Sequence, residues 1–224
     1  MESALDRYLR EHSDPQSEAL EWIEKQTHLR TNYPRMLSGS VQGKLLTLLV
    51  KFTSARSLLE IGSFTGYSAT CLAYGLPLKE DGTRDGHIDA LELNDELQPL
   101  MEEGWRRAGV RECISLHIGD ALETLESLKD RRYDFVFIDA NKREYCAYYE
   151  AVIGMLDPGG IIVADDVLWD GKVFQTPMPH DRQTQGIASF NDMVASDPRV
   201  ENVILPLRDG LNIIRKRSTN KSKL

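Results

Sequence analysis

Residues Ser57–Ser68 read SLLEIGSFTGYS, and this stretch decides the fold. Leu58, Leu59, Glu60 and Ile61 form a short apolar run broken by one acid. Gly62 and Gly66 follow, and then the run YSATCLAYGL. A buried strand, a tight glycine turn and a helix account for this order. Glycine suits a turn that needs positive φ or that lets a ligand approach the backbone. The first amides of the helix then point at whatever lies over the turn. The spacing is G-x-x-x-G, not the dinucleotide pattern G-x-G-x-x-G. Taken alone it also suits an ordinary strand-to-helix turn.

The flanking sequence narrows the choice. On the downstream side, His87–Leu93 (HIDALEL) reads as a second strand ending near Glu92, thirty residues after Gly62. In nucleotide-binding α/β folds an acid at that strand end, about 20 residues on, accepts hydrogen bonds from ribose hydroxyls. The loop LKEDGTRDG (Leu78–Gly86) accounts for the longer interval here. On the upstream side, Val41–Phe52 (VQGKLLTLLVKF) is an amphipathic helix that feeds the first strand. Before it come the loop Asn32–Ser40 and a helical stretch over Ser3–Gln26. Pro15 divides that stretch, with Ser13 or Asp14 as its N-cap.

The remaining chain alternates. A helix is expected over Glu96–Ala108, a strand over Ile114–Ile118, and a helix over Ala121–Lys129. Tyr133–Ile138 (YDFVFI) is nearly all apolar, as a strand buried on both faces requires. Arg143–Leu156 is a helix that stops at Asp157-Pro158-Gly159-Gly160, and Gly160–Ala164 is the fifth strand. Such alternation predicts a mainly parallel sheet in a doubly wound α/β fold. After a helix over Ile187–Ala195, Val200–Pro206 and Gly210–Arg215 flank the short turn LRD and predict an antiparallel hairpin. We find no repeat and no linker. The expected organisation is a helical extension over 1–35, one domain over 36–217 and a disordered polar tail over 218–224.

Composition sets outer limits. The chain has 224 residues, enough for a sizeable core, and a net charge of −8. That balance opposes a long nucleic-acid backbone as main partner. Three scattered cysteines make neither a disulfide framework nor a zinc site. No apolar run is long enough to span a membrane, and no signal-peptide core is present, so a cytoplasmic setting is expected.

Acids stand at four of the strand ends: Glu60, Glu92, Asp139 and the pair Asp165-Asp166. Ligands of open α/β sheets bind beyond the carboxyl ends of the strands. Consecutive parallel strands usually lie side by side, so Asp139, Asp165 and Asp166 are expected to converge. Uncompensated carboxylates in one pocket repel one another, and a hard divalent cation relieves that repulsion. Capping and turn duties for one or two of these acids are the other reading of the same spacing. Lys142 follows Asp139 by three residues. A lysine beside a cation loses its proton more easily, which would make it a general base toward a hydroxyl.

Together LLEIGSFTGYSA, LELN, GDAL, FIDANK and VADDVLWDGKV resemble the cation-dependent class I S-adenosylmethionine O-methyltransferases, the group of caffeoyl-CoA and catechol O-methyltransferases. The likeness runs from about Met36 to Arg215. It implies a Rossmann-like, seven-stranded sheet with its last strand antiparallel. It also implies S-adenosylmethionine as cofactor, Mg²⁺ (or Ca²⁺ or Mn²⁺) as metal, a vicinal aromatic diol as substrate, and a homodimer. By the same resemblance Glu60, Gly62 and Ser68 would line the methionine and ribose side of the cofactor. Glu92 would hold the ribose, Asp120 and Ala121 would flank the adenine, and Asn141 would lie near the sulfonium. The loop Met36–Ser40 would close over the cofactor. Asp139, Asp165 and Asp166 would hold the metal, Lys142 would be the base, and Trp169 would stand by the substrate ring. The family usually carries Asp-Asn where this chain has Asp165-Asp166. A hydroxylated nucleoside of transfer RNA is a second substrate reading, which the acidic balance opposes. A nicotinamide-dependent dehydrogenase would want the missing G-x-G-x-x-G. A non-catalytic binding protein would not need Asp139, Lys142 and Asp165 together.

Overall fold

A computed structural model describes residues 4–218 of the chain. Apart from Ser218, the polar tail expected over 218–224 lies outside the described residues. Seven strands form one sheet: β1 (Ser57–Ile61), β2 (His87–Glu92), β3 (Ile114–Ile118), β4 (Tyr133–Ile138), β5 (Leu156–Ala164), β6 (Val200–Leu205) and β7 (Leu211–Lys216). Their order is β3-β2-β1-β4-β5-β7-β6. Eight α-helices are interleaved among the described residues: α1 (Ala4–Glu11), α2 (Glu18–Arg30), α3 (Ser40–Thr53), α4 (Tyr67–Gly75), α5 (Gln98–Arg107), α6 (Ala121–Ser127), α7 (Tyr145–Met155) and α8 (Arg182–Ser196). No helix among the described residues is long and apolar enough to cross a membrane.

The chain divides into two compact units. The first comprises residues 1–56 and 63–118. In it β2 and β3 pair in parallel, with Glu92 opposite Ile118. Leu20 and Ile23 of α2, Leu37, Tyr67 and Cys71 of α4, and Leu100 of α5 form a buried cluster. Ser17, not Ser13 or Asp14, caps α2; its hydroxyl accepts from the Leu20 amide at 3.3 Å. The helix expected over 96–108 begins as a 3₁₀ turn, Asp95–Leu97, and becomes α-helical where Pro99 occupies its first turn.

The second unit comprises residues 57–62 and 119–224. Here β1, β4 and β5 run parallel, so Ile61, Ile138 and Ala164 stand in one row at their carboxyl ends. The expected hairpin is present, with β7 antiparallel to both β5 and β6. β5 begins four residues before the expected Gly160. Leu156 pairs with Tyr133, the register slips through Asp157–Gly160, and pairing resumes at Ile161 with Phe135. The D-P-G-G turn is therefore a bulge inside the strand, because the apolar Leu156 is buried against the sheet. α7 and α8 pack through Tyr145 and Tyr149 on Phe190, both edge-on, with ring centroids 5.4 and 6.0 Å apart.

Candidate functional site

In the second unit Asp139 follows the last residue of β4 and Asp165 the last residue of β5. Their amides extend the ladder, donating to Ile61 O and Ile138 O, each at 2.9 Å. Gly62 (φ 93°) leaves β1 so close to Asp139 that a Cβ on it would lie 2.2 Å from the Asp139 carbonyl oxygen. The glycine is required by contact as well as by φ.

Lys142 is the centre of this region. A 3₁₀ turn (Lys142–Glu144), capped by Asn141 Oδ1 on the Arg143 amide, carries it back over the strand ends. Its side chain is only 7% exposed. Nζ donates to Asp139 Oδ1 at 2.8 Å and to the Tyr145 hydroxyl at 2.7 Å, and lies 3.0 Å from Asp166 Oδ2. Tyr145 passes the contact on, donating to Asp165 O at 2.9 Å. Burial opposes the lysine's charge, but the attraction of Asp139, Tyr145 and Asp166 outweighs it and holds the ammonium well above its ordinary pKa. Burial likewise raises the Asp139 carboxyl, and the ammonium opposes that rise. The expected loosening of its proton belongs to a lysine beside a cation; these neighbours by themselves tighten it.

The three acids do not behave alike. Asp139 and Asp166 share one cationic partner, the Lys142 ammonium. Asp165 is buried, and its Oδ1 accepts from the Asp166 amide at 2.8 Å. Among the described residues no group of three or more His, Cys, Asp or Glu is arranged to hold a metal ion. Of the three expected ligands, Asp139 and Asp166 are both directed at the Lys142 ammonium. Two carboxylate oxygens already directed at one positive charge, with no softer ligand, fit a hard divalent cation in donor chemistry.

Other expected residues fall as follows. Asp120 caps α6, accepting from the amides of Leu122 (2.9 Å) and Glu123 (3.2 Å), so Ala121 is the first residue of that helix. Glu60 is fully buried in β1. Trp169 has a left-handed backbone (φ 50°), and Lys172 Nζ stands 5.6 Å from its ring centre.

In the first unit Glu92 is held by both oxygens. Phe64 N donates to Oε2 at 2.6 Å and Asn94 N to Oε1 at 2.9 Å. Each carboxylate oxygen has a further lone pair for a hydroxyl. The turn before α4 is braced from behind. Trp105 Nε1 donates to Gly66 O at 3.1 Å, and the Thr27 and Thr65 hydroxyls meet at 2.8 Å in a buried contact. Ser68 is buried in the first turn of α4. Tyr145, Thr27 and Trp105 escaped the sequence reading. Tyr145 alone had a signal, its i,i+3 spacing from Lys142.

Comparison with known proteins gives a consistent result. Residues 10–217 match the model of a family described as O-methyltransferase. A caffeoyl-CoA O-methyltransferase of Medicago sativa is 34% identical over 191 residues, covering 81% of this chain and 75% of its own length. The catechol O-methyltransferase domain-containing protein 1 of Mus musculus is 35% identical over 179 residues, covering 78% and 66%. Among solved structures, an O-methyltransferase of Bacillus cereus in complex with SAH superposes with a TM-score of 0.87 at 30% identity, over 96% of this chain and 98% of that one. The O-methyltransferase TomG of Streptomyces achromogenes, in complex with SAM, gives 0.88 at 29% identity, over 96% and 97%.

Proposed function

The chain belongs to the O-methyltransferase family, and we propose that it moves a methyl group from S-adenosylmethionine to one hydroxyl of a vicinal aromatic diol, aided by a divalent cation. The observation that carries the reading is the pair Asp139 and Asp166, both directed at the ammonium of the buried Lys142. The relatives named for caffeoyl-CoA and for catechol support the choice of acceptor.

Asp139, Asp166 and Asp165 would hold the cation. When bound, such an ion supplies Lewis acidity that lowers the pKa of a hydroxyl on it. The chain's own residues do the rest. Glu92, its carboxylate fixed by two backbone amides, would accept from the ribose hydroxyls of the cofactor. Glu60, Gly62 and Ser68 would line the cofactor's methionine and ribose side. Asp120 and Ala121 would flank its adenine, and Asn141 would lie near its sulfonium. Trp169 would bound the acceptor ring. Lys142 Nζ would take the hydroxyl proton. The hydroxyl oxygen would then bond to the methyl carbon as the carbon–sulfur bond breaks with its electrons staying on sulfur, leaving S-adenosylhomocysteine. Holding the two substrates in register would supply much of the rate.

The test is transfer of labelled methyl from S-adenosylmethionine to a panel of catechols, caffeoyl esters and bulk transfer RNA, each with chelator and with restored Mg²⁺. Label on a diol that chelator abolishes and Mg²⁺ restores is the expected result. Full activity in excess chelator would remove the cation from the reading, and label on transfer RNA alone would replace the substrate.

A further inference from the structure

The loop after β5 is built on the turn between β6 and β7. Asp166, Trp169 and Asp170 all have left-handed backbones, with φ of 56°, 50° and 54°. Asp visits this region at small cost, but a bulky residue such as Trp169 keeps such an angle only where its surroundings over-determine it. The hairpin turn is that surrounding. Val167 N donates to Gly210 O at 3.1 Å, and Leu168 N to Asp209 O at 2.8 Å. Asp170 N donates to both oxygens of the Asp209 carboxylate, at 2.7 and 2.9 Å. Asn191 Nδ2, from α8, donates to Val167 O at 2.8 Å. Gly210 (φ 89°) lies so close beneath the loop that a Cβ on it would stand 2.4 Å from Leu168 Cγ.

We infer that Asp209 is a positioning residue for methyl transfer: by pinning the Asp170 amide it fixes Asp166 at one end of the loop and Trp169 at the other. This rests on the roles proposed above for Asp166 and Trp169. An acid is a poor choice here on packing grounds alone. Burial, together with the nearby Asp166 and Asp170, opposes its charge and raises its carboxyl above the ordinary range. A neutral side chain would fill the space without that penalty. What the carboxylate adds is a strong acceptor for a backbone amide held in an unfavourable conformation.

The test compares Asp209→Ala and Asp209→Asn with the parent by hydrogen exchange, acceptor kinetics and calorimetry of cofactor binding. In Asp209→Ala, amide exchange at residues 168–170 should accelerate. kcat/KM for the acceptor should fall about 10–10²-fold, the scale of a small misplacement at a reacting centre. Cofactor affinity should stay within about twofold, since only acceptor-side binding is lost. Asp209→Asn keeps one acceptor oxygen and should recover most of both signals. Asp209→Leu fills the same space without an acceptor and should repeat the alanine result if alanine does not fold. Unchanged exchange in the acceptor-less variants overturns the clamp and leaves the roles of Asp166 and Trp169 standing. Faster exchange with parental kinetics overturns the positioning role and those two roles with it. A parallel loss of cofactor affinity shows general loosening, and overturns the inference too.

Discussion

The Lys142 ammonium lies between Asp139 and Asp166, and their attraction keeps it protonated against the pull of burial. A base must be neutral to act, so Lys142 can take a hydroxyl proton only when those acids are satisfied by something else. Lys142→Ala should lower turnover about 10²–10⁴-fold, the usual range for general acid–base catalysis. Calorimetry should find cofactor affinity little changed, because the amine faces the acceptor in the proposed reaction. Turnover surviving within a few-fold would take the base role away from it. Half of this cluster was legible in the sequence. Asp139 and Lys142 are three residues apart in the chain, whereas Asp166 reaches the lysine from another strand end. Asp165 and Asp166 are adjacent in sequence, yet one side chain caps the local backbone and the other meets the lysine. Only the backbone path, with φ of 56° at Asp166, separates those fates.

At the scale of elements, strand and helix periods were easy to read because burial imposes them. Joints were harder. The bulge in β5 and the early start of α8 under its cap Asp181 follow from packing and from two hydrogen bonds of one side chain. The joint at Gly62 makes a sharp prediction. Gly62→Ala would force a Cβ to 2.2 Å from Asp139 O at φ 93°. Strain of this kind costs roughly 1–3 kcal/mol, and in a chain of this size each kcal/mol lowers Tm by about 2–4 °C. A Tm loss on that scale, with activity falling because Asp139 is displaced, is expected; a parental Tm would mean that the turn re-forms freely. The joint after α8 is electrostatic. Asp197 accepts from the Arg199 side chain at 2.7–3.0 Å and from the Tyr149 hydroxyl at 2.8 Å. The Arg199 hydrogen bonds lower its carboxyl from the ordinary 3.8 to about 2. A depressed folded value stabilises above the ordinary pKa, and the stabilisation is lost as pH falls through the folded one. Asp197→Asn should therefore lower Tm at neutral pH, and the gap from the parent should close between about 4 and 2. A gap that stays constant down to pH 2 would show that the ion pair contributes nothing.

For the whole molecule, the cation reading becomes a statement about global stability. A ligand that binds only the folded chain stabilises it by about 2.7 kcal/mol at a hundred times its Kd. Added Mg²⁺ should therefore raise Tm in a saturable way, and chelator should reverse the gain. A Tm indifferent to divalent cations would leave Lys142 as the working counter-ion of Asp139 and Asp166. The sequence by itself determined the alternation of strands and helices, the antiparallel end of the sheet, and the acids at the strand ends. Those features follow from local period, from turn chemistry, and from the rule that ligands gather at the carboxyl ends of strands. Only the tertiary structure decided which acid meets Lys142, that Tyr145 ties the cluster to Asp165 O, and that Asp209 holds the loop between Asp166 and Trp169. Each of these is a contact between segments distant in the chain or a choice of backbone angle within one turn, and side-chain type alone specifies neither.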